Sequence, residues 1–246
     1  MRTLIVTLER AKDRQRNIAG QLEAIGHPFE YFHGVDGGQG HHPLFDHYNE
    51  PKRLKLRGEP MSPGQLGCFA SHYRIWQECV ESQEPILVIE DDALIDPERF
   101  QAFVNAIPEL PGDVECLRLF ENKSKVRKGI HPRHLAGELY VKKFLKGHMS
   151  TTGYYLTPSG ARKFLRGASE WILPVDLYMD QFWRNGVECY GLVPPCLTND
   201  PQFDSMISQG RARTRRNLKT RFRRERYALV QNCQRVWANL MFLIGR

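Results

Sequence analysis

The run Ile86-Leu87-Val88-Ile89, preceded by Pro85 and leading straight into Glu90-Asp91-Asp92, limits what this chain can fold into more than any other stretch. Consecutive large apolar residues, several of them β-branched, read as a short strand buried on both faces, the habit of parallel sheets. Such a strand needs helices covering it on both sides, so the chain must alternate strands with helices. The strand ends in adjacent carboxylates, which repel one another by about 1 kcal/mol per close pair even under strong screening. A cation is therefore expected among Glu90, Asp91 and Asp92. A hard divalent ion fits, since Mg²⁺ or Mn²⁺ takes oxygen ligands and is held by one or two carboxylates while substrate phosphates fill the rest. The alternative at this point is a solvated acidic turn that caps the following helix.

The required alternation is present. Residues 4–8 read as a first strand, 11–25 as a helix carrying Ile18, Leu22 and Ile25 on one stripe with Gly26 to stop it, and 29–32 as a second strand. This is the opening of a right-handed βαβ unit. Arg10, Lys12, Arg14 and Arg16 gather where strand gives way to helix, the end of an open α/β sheet at which ligands bind, and Arg14 is the candidate among them. Residues 34–60 show little periodicity and read as a long loop; the glycines there match neither a phosphate-binding loop nor a dinucleotide fingerprint, and His41 and His42 read as surface histidines.

Ser62-Pro63-Gly64-Gln65 marks a helix start, with Ser at the N-cap, Pro in the first turn and Gln completing a capping box. This helix is expected to reach about residue 82, burying Leu66, Phe69, Tyr73, Trp76 and Val80 and carrying His72. A further helix starts at Asp96-Pro97, and strands are expected near 114–120, 139–145, 152–156 and 187–193, with Pro194-Pro195 closing the regular core. Residues 122–137 read as a basic loop. Residues 174–183 read as a helix that projects Asp176 and Asp180 from one face at i and i+4.

At 246 residues with 41% hydrophobic content, the chain has enough apolar surface for a sizeable core. The six cysteines form no C-x-x-C pair, so reduced thiols in a cytosolic compartment are expected. The N-terminal apolar run is too brief and too polar for a signal peptide or a membrane span. The net charge of +7 is unevenly placed: residues 211–226 hold nine Lys/Arg and one Glu, leaving the remainder near neutrality. Behind that basic run, Leu229/Val230, Cys233, Val236/Trp237, Leu240/Met241 and Ile244 recur at helical spacing. A basic, amphipathic C-terminal helical tail of this kind suits an anionic membrane surface, with docking on its own domain as the alternative. Nucleic acid is not expected as a partner, because no recognised binding motif accompanies the basic run.

Several motifs occur in a telling order: Leu4-Ile5-Val6-Thr7-Leu8 with Arg10 and Asp13-Arg14; Phe29-Glu30 leading to Val35-Asp36-Gly37; Ser62-Pro63-Gly64-Gln65-Leu66-Gly67-Cys68-Phe69-Ala70-Ser71-His72; and Ile89-Glu90-Asp91-Asp92. Gly153-Tyr154-Tyr155-Leu156 with Ser159-Gly160-Ala161, then Pro174-Val175-Asp176, then Asp204-Ser205-Met206-Ile207, complete the series. In this order they resemble glycosyltransferase family 25, the group of lipopolysaccharide β-1,4-galactosyltransferases and collagen galactosyltransferases. Two positions depart from the family pattern: Gln65 stands where Glu is frequent, and Met206 replaces an acid in the closing element, leaving only Asp204 there as a potential ligand.

The resemblance implies a GT-A-like, Rossmann-type mixed sheet flanked by helices over residues 1–208, with 209–246 as the tail. It also implies an inverting transfer of a hexose, galactose foremost, from a UDP-sugar donor to an acceptor saccharide or glycolipid of lipopolysaccharide or a similar surface glycan. Glu90 and Asp92 would then hold Mn²⁺ or Mg²⁺, Arg14, His72 and Asp91 would surround the donor, and Asp176, with Asp180 second, would be the general base. The implied location is cytoplasmic, peripheral on the inner face of the cell membrane. Two other readings stay open: a non-catalytic scaffold or lectin-like protein on the same fold, and a nucleotidyltransferase.

Overall fold

The computed structural model describes residues 1–121, 129–203 and 218–245. Its first half runs β1 (Arg2–Thr7), α1 (Lys12–Ala24), β2 (Glu30–His33), α2 (Glu50–Arg57), α3 (Pro63–Ser82), β3 (Ile86–Glu90), β4 (Ala93–Ile95), α4 (Pro97–Ala106) and β5 (Cys116–Arg118). The second half follows as β6 (Gly129–Ala136), β7 (Leu139–Phe144), β8 (Gly153–Leu156), α5 (Pro158–Gly167), α6 (Val175–Met179), α7 (Phe182–Asn185), β9 (Tyr190–Val193), β10 (Leu197–Asn199) and α8 (Leu218–Ile244).

Eight strands form one mixed sheet in the order β2-β1-β3-β8-β5-β9-β7-β6, and β10 pairs with β4 in a separate ribbon. This is the expected GT-A-like mixed sheet flanked by helices. The run 86–89 is apolar throughout because its side chains enter two cores in turn. Leu87 and Ile89 join Ile18 and Leu22 of α1 and Phe100 and Phe103 of α4 on one face. Ile86 and Val88 join Phe69 and Trp76 of α3 and Phe164 of α5 on the other.

β1 is parallel to both β2 and β3. The crossover through α1 moves to one side of β1 and the crossover through α3 to the other, so the covering helices part at the carboxyl ends of β1 and β3 and leave a crevice there. β8 then enters antiparallel to β3, with Gly153 opposite Ile89. Its first residues thus arrive at the same end of the sheet as Glu90.

Several expectations need correction. Residues 34–60 are not one loop: they contain α2, capped by the Asn49 side chain accepting from the Lys52 amide at 2.9 Å and stopped by Gly58 at φ +78°. Only Arg53 of α2 is buried, so no apolar stripe announced it. The basic segment around 122–137 contains β6, an edge strand paired with β7 through irregular registers. Only Leu135 of this strand is buried and two register shifts interrupt its pairing, so no regular alternation marks it.

On α3, Leu66, Tyr73 and Val80 are only partly buried, while Ile75 and Cys79 are fully so. The helix expected over 174–183 breaks into α6 and α7 at Asp180-Gln181. Nor does the regular core end at Pro194-Pro195, since β10 turns back onto β4, with Asn199 opposite Ala93. The element Asp204-Ser205-Met206-Ile207, the boundary at 208–209 and the basic residues 211–217 lie outside the described residues.

Candidate active site

The crevice at the ends of β1, β2 and β3 is an open cleft of about 140 Å³. Its floor is Thr7, Glu90, Asp91 and Asp92, and its walls include Arg10, Arg14, Asp36, Cys68 and His72.

Asp91 is 5% exposed and tied down from both sides. Its carboxylate accepts from Thr7 Oγ1 at 2.6 Å and from Arg14 Nη1 at 3.2 Å, and its amide donates to the Val6 carbonyl. Burial pushes this carboxyl up, against the pull of Thr7 and Arg14. Arg14 is itself buried, reaches Asp92 Oδ2 at 3.4 Å with the same nitrogen, and lies over the Phe203 ring.

Asp92 is pushed up to about 6, first by burial and then by Glu90. Among the described residues its Oδ1 is buried with no hydrogen-bond partner. A carboxylate oxygen hidden from water and unbonded costs several kcal/mol. That cost is relieved by a proton or a cation. The turn holding it is fixed by the ribbon, since the Asp200 amide donates to the Asp92 carbonyl at 2.9 Å.

Glu90 accepts from Thr151 Oγ1 at 2.6 Å and is approached by His72 Nε2 at 3.4 Å. His72 is fully buried, and its proton position follows from a chain of contacts. The Trp76 indole N–H can only donate, and it donates to the Tyr154 hydroxyl at 3.2 Å. The Tyr154 hydroxyl proton then goes to His72 Nδ1 at 2.8 Å, which leaves Nε2–H aimed at Glu90. Cys68 Sγ, His72 and Glu90 lie within 4.8 Å of one another and could also surround a metal ion. In that cluster the imidazole nitrogen is engaged as a donor, and burial and nearby Glu90 push the Cys68 thiol up, so it stays protonated. Glu90 with Asp92, whose oxygen lacks a partner, is the better-fitting pair for a hard divalent ion.

At the mouth, Arg10 holds Asp36 through two bonds of 2.9 and 3.2 Å, and Asp36 caps the short turn Gly37–Gln39. This loop lies directly on the start of α3. A Cβ on Gly67 would meet the Val35 carbonyl oxygen at 2.4 Å and the Gly37 nitrogen at 2.6 Å. Glycine is the residue that permits such backbone approach.

Of the residues expected at the site, Arg14, His72, Glu90, Asp91 and Asp92 converge on one cleft. Asp176, on α6, does not line it, but lies within electrostatic reach of Glu90 and Arg118, and burial raises its carboxyl. Asp180 follows it one helical turn on, its amide donating to the Asp176 carbonyl at 3.2 Å. It caps α6 and is fully engaged, accepting from the amides of His148 at 3.1 Å and Met149 at 2.8 Å and from Arg118 at 3.3 Å. Burial pushes Asp180 up to about 6 despite Arg118. Reading the sequence missed Thr7, Asp36, Cys68 and Thr151 as parts of the site. Cys68 had a visible signal, standing one helical turn before His72 on the same face.

A sequence model described as glycosyltransferase family 25 (LPS biosynthesis protein) matches residues 1–179. The chain belongs to glycosyltransferase family 25. It is therefore related to transferases of sugars, and the acidic cleft lies inside the matched region. A family 25 member from Anopheles gambiae is 31% identical over 198 residues, covering 74% of this chain and 31% of its own length. Procollagen galactosyltransferase 1 of Danio rerio is 28% identical over 137 residues, 54% of this chain and 22% of its own.

A human relative, 29% identical over 189 residues covering 71% of this chain and 30% of its own, is named an inactive family 25 member. This family 25 chain thus spans less than a third of the length of these curated relatives. Among solved structures, a glycosyltransferase involved in glycosylation of the major capsid of PBCV-1 aligns with 12% identity and a TM-score of 0.33, over 68% of this chain and 64% of its own.

Proposed function

We propose that the cleft performs an inverting transfer of a hexose, galactose foremost, from a UDP-sugar to an acceptor saccharide of lipopolysaccharide or a similar surface glycan. The observation that carries this reading is the partnerless, buried Oδ1 of Asp92 beside Glu90, at the carboxyl ends of two parallel strands. Glu90 and Asp92 would hold Mn²⁺ or Mg²⁺, and a divalent ion there supplies charge neutralisation for a departing diphosphate. Arg14, locked by Asp91 and Asp92, brings a fixed positive charge to the same place, and Thr151 and His72 hold Glu90 in position. Asp176, outside the lining of the cleft but within electrostatic reach of Glu90, is the residue assigned here as general base. As the acceptor hydroxyl oxygen bonds to the anomeric carbon and the bond from that carbon to the UDP oxygen breaks, the hydroxyl proton passes to the Asp176 carboxylate. A carboxyl raised by burial is a stronger proton acceptor than one in water. The relatives' names support galactose, and the family description supports a lipopolysaccharide acceptor.

A thermal-shift series with UDP-galactose, UDP-glucose, UDP and ATP, each with and without Mn²⁺, tests the reading. Ligand at a hundredfold its Kd adds about 2.7 kcal/mol, or roughly 5–10 °C for a chain this size. The expected result is a rise with uridine nucleotides and Mn²⁺ together, and a turnover assay in which Asp92→Ala folds normally but transfers nothing. No shift with any uridine nucleotide overturns the reading, and pyrophosphate release from ATP points to a nucleotidyltransferase. The inactive human relative favours a second reading, binding without turnover, which a shift with UDP-galactose but no hydrolysis or transfer would establish.

A further inference from the structure

Helix α8 sits on the protein with its polar side inward. Gln231 accepts from Gln181 Nε2 at 2.6 Å and from the Trp183 indole, and Asn239 Nδ2 donates to the Leu145 carbonyl at 3.0 Å. Ala238 and Phe242 make apolar contacts on that side, where Tyr227 and Ala228 are also partly buried. The opposite side is apolar and exposed: Leu229, Val236, Trp237, Leu240 and Ile244 follow one another at i, i+7, i+8, i+11 and i+15, with Trp237 65% exposed. A soluble helix docked on its domain has these two sides the other way round.

The charge on this surface is one-sided. Arg226 continues the apolar stripe, and Arg221 and Arg223 are exposed on either side of it. Between α2 and α8 lies an open crevice of about 520 Å³, lined by Lys52, Lys55 and Arg184 from the body and by Arg223 and Arg226 from the helix. Lys52 pairs with Glu170 and Arg184 with Gln181. Among the described residues, Lys55, Arg223 and Arg226 have no carboxylate partner. No helix among these residues is long and apolar enough to cross a membrane.

We infer that this face is a docking surface for an anionic lipid bilayer: the outward stripe of α8 enters the headgroup and acyl boundary, and lipid phosphates meet the cations of the α2–α8 crevice. An apolar stripe bearing Trp with cations beside it is the pattern of a helix lying in the membrane interface. A second copy of this chain is a poor occupant, because the only acid of α8 is Glu225, already beside Arg224, so pairing two stripes brings cations together without an answering charge. The inference is independent of the sugar chemistry, and it involves the body of the protein, where a free tail would involve only the tail.

The test is co-sedimentation of the full chain with vesicles of phosphatidylcholine alone or mixed with phosphatidylglycerol, together with Trp237 emission. Binding to the mixed vesicles only, weakened by salt, with a blue shift that Trp237→Phe removes, is expected. Trp237→Ser with Leu240→Ser should lower partitioning more than tenfold, and Lys55→Glu, on the body, roughly tenfold by charge reversal near the lipid surface. Cooperative melting of each variant establishes that it folds. Absence of binding by the wild type overturns the inference, as does Lys55→Glu partitioning like the wild type. So does a dimer in vesicle-free solution that Trp237→Ser with Leu240→Ser makes monomeric, since the stripe would then belong to a second copy.

Discussion

Asp92 and Asp180 are both carboxyls pushed up to about 6 by burial, yet their surroundings make opposite predictions for their removal. Asp92 has a partnerless oxygen and a like charge nearby, so Asp92→Asn should stabilise the cation-free protein at pH 7, on the order of 2 kcal/mol, while ending transfer. A carboxyl whose folded value lies above its unfolded one makes the folded state bind the extra proton, so stability falls as pH rises through that window. Urea titrations with a chelator should therefore show the advantage of Asp92→Asn at pH 7 shrinking towards zero below about pH 4. Asp180→Ala strands buried Arg118 and two amides, and should cost roughly 3–5 kcal/mol in the same experiment. The sequence showed these residues as acids but not which kind. The triplet at 90–92 was legible because adjacent like charges after a buried strand need a counter-charge. The engagement of Asp180 was not, since Arg118, His148 and Met149 reach it only through the fold.

Among the elements, α3 and its glycine bring the cleft mouth to its floor. Alanine in place of a mid-helix glycine ordinarily gains up to about 1 kcal/mol. At Gly67 the new Cβ would press on the backbone of Val35 and Gly37, which cannot rotate aside. Overpacking costs typically 1–3 kcal/mol, so the sign should reverse. Gly67→Ala is expected to lower Tm by several degrees and to weaken uridine nucleotide binding through the displaced Asp36 and Arg10, both measurable by calorimetry. Elements that bury an apolar face in the two cores, such as α1, α3 and β3, could be read in the sequence from periodicity and caps. α2 and β6 could not, because one buries a single arginine and the other lies at a sheet edge. The break between α6 and α7 was hidden for a related reason: it is set by what Asp180 bonds across space, and local propensity does not contain that.

At the scale of the whole molecule, the two cores on either side of β3 hold the sheet, whereas α8 is attached by side-chain hydrogen bonds and a few partly buried residues. Regions with few buried apolar contacts open first. Hydrogen exchange should find amides 229–244 far less protected than those of β1 and β3, and anionic vesicles should raise protection in that helix and in α2. The sequence carried the amphipathic pattern of α8 but could not say which side faced the protein, because that depends on Gln181, Trp183 and Leu145 presenting polar atoms. The antiparallel course of β8 has an implication of another kind. It brings Thr151 to the acidic turn from a stretch of chain far from those that supply Arg14, Asp91 and Asp92. One hold on the floor can therefore be altered on its own: Thr151→Val releases Glu90 from that side while Arg14 keeps its bonds to Asp91 and Asp92.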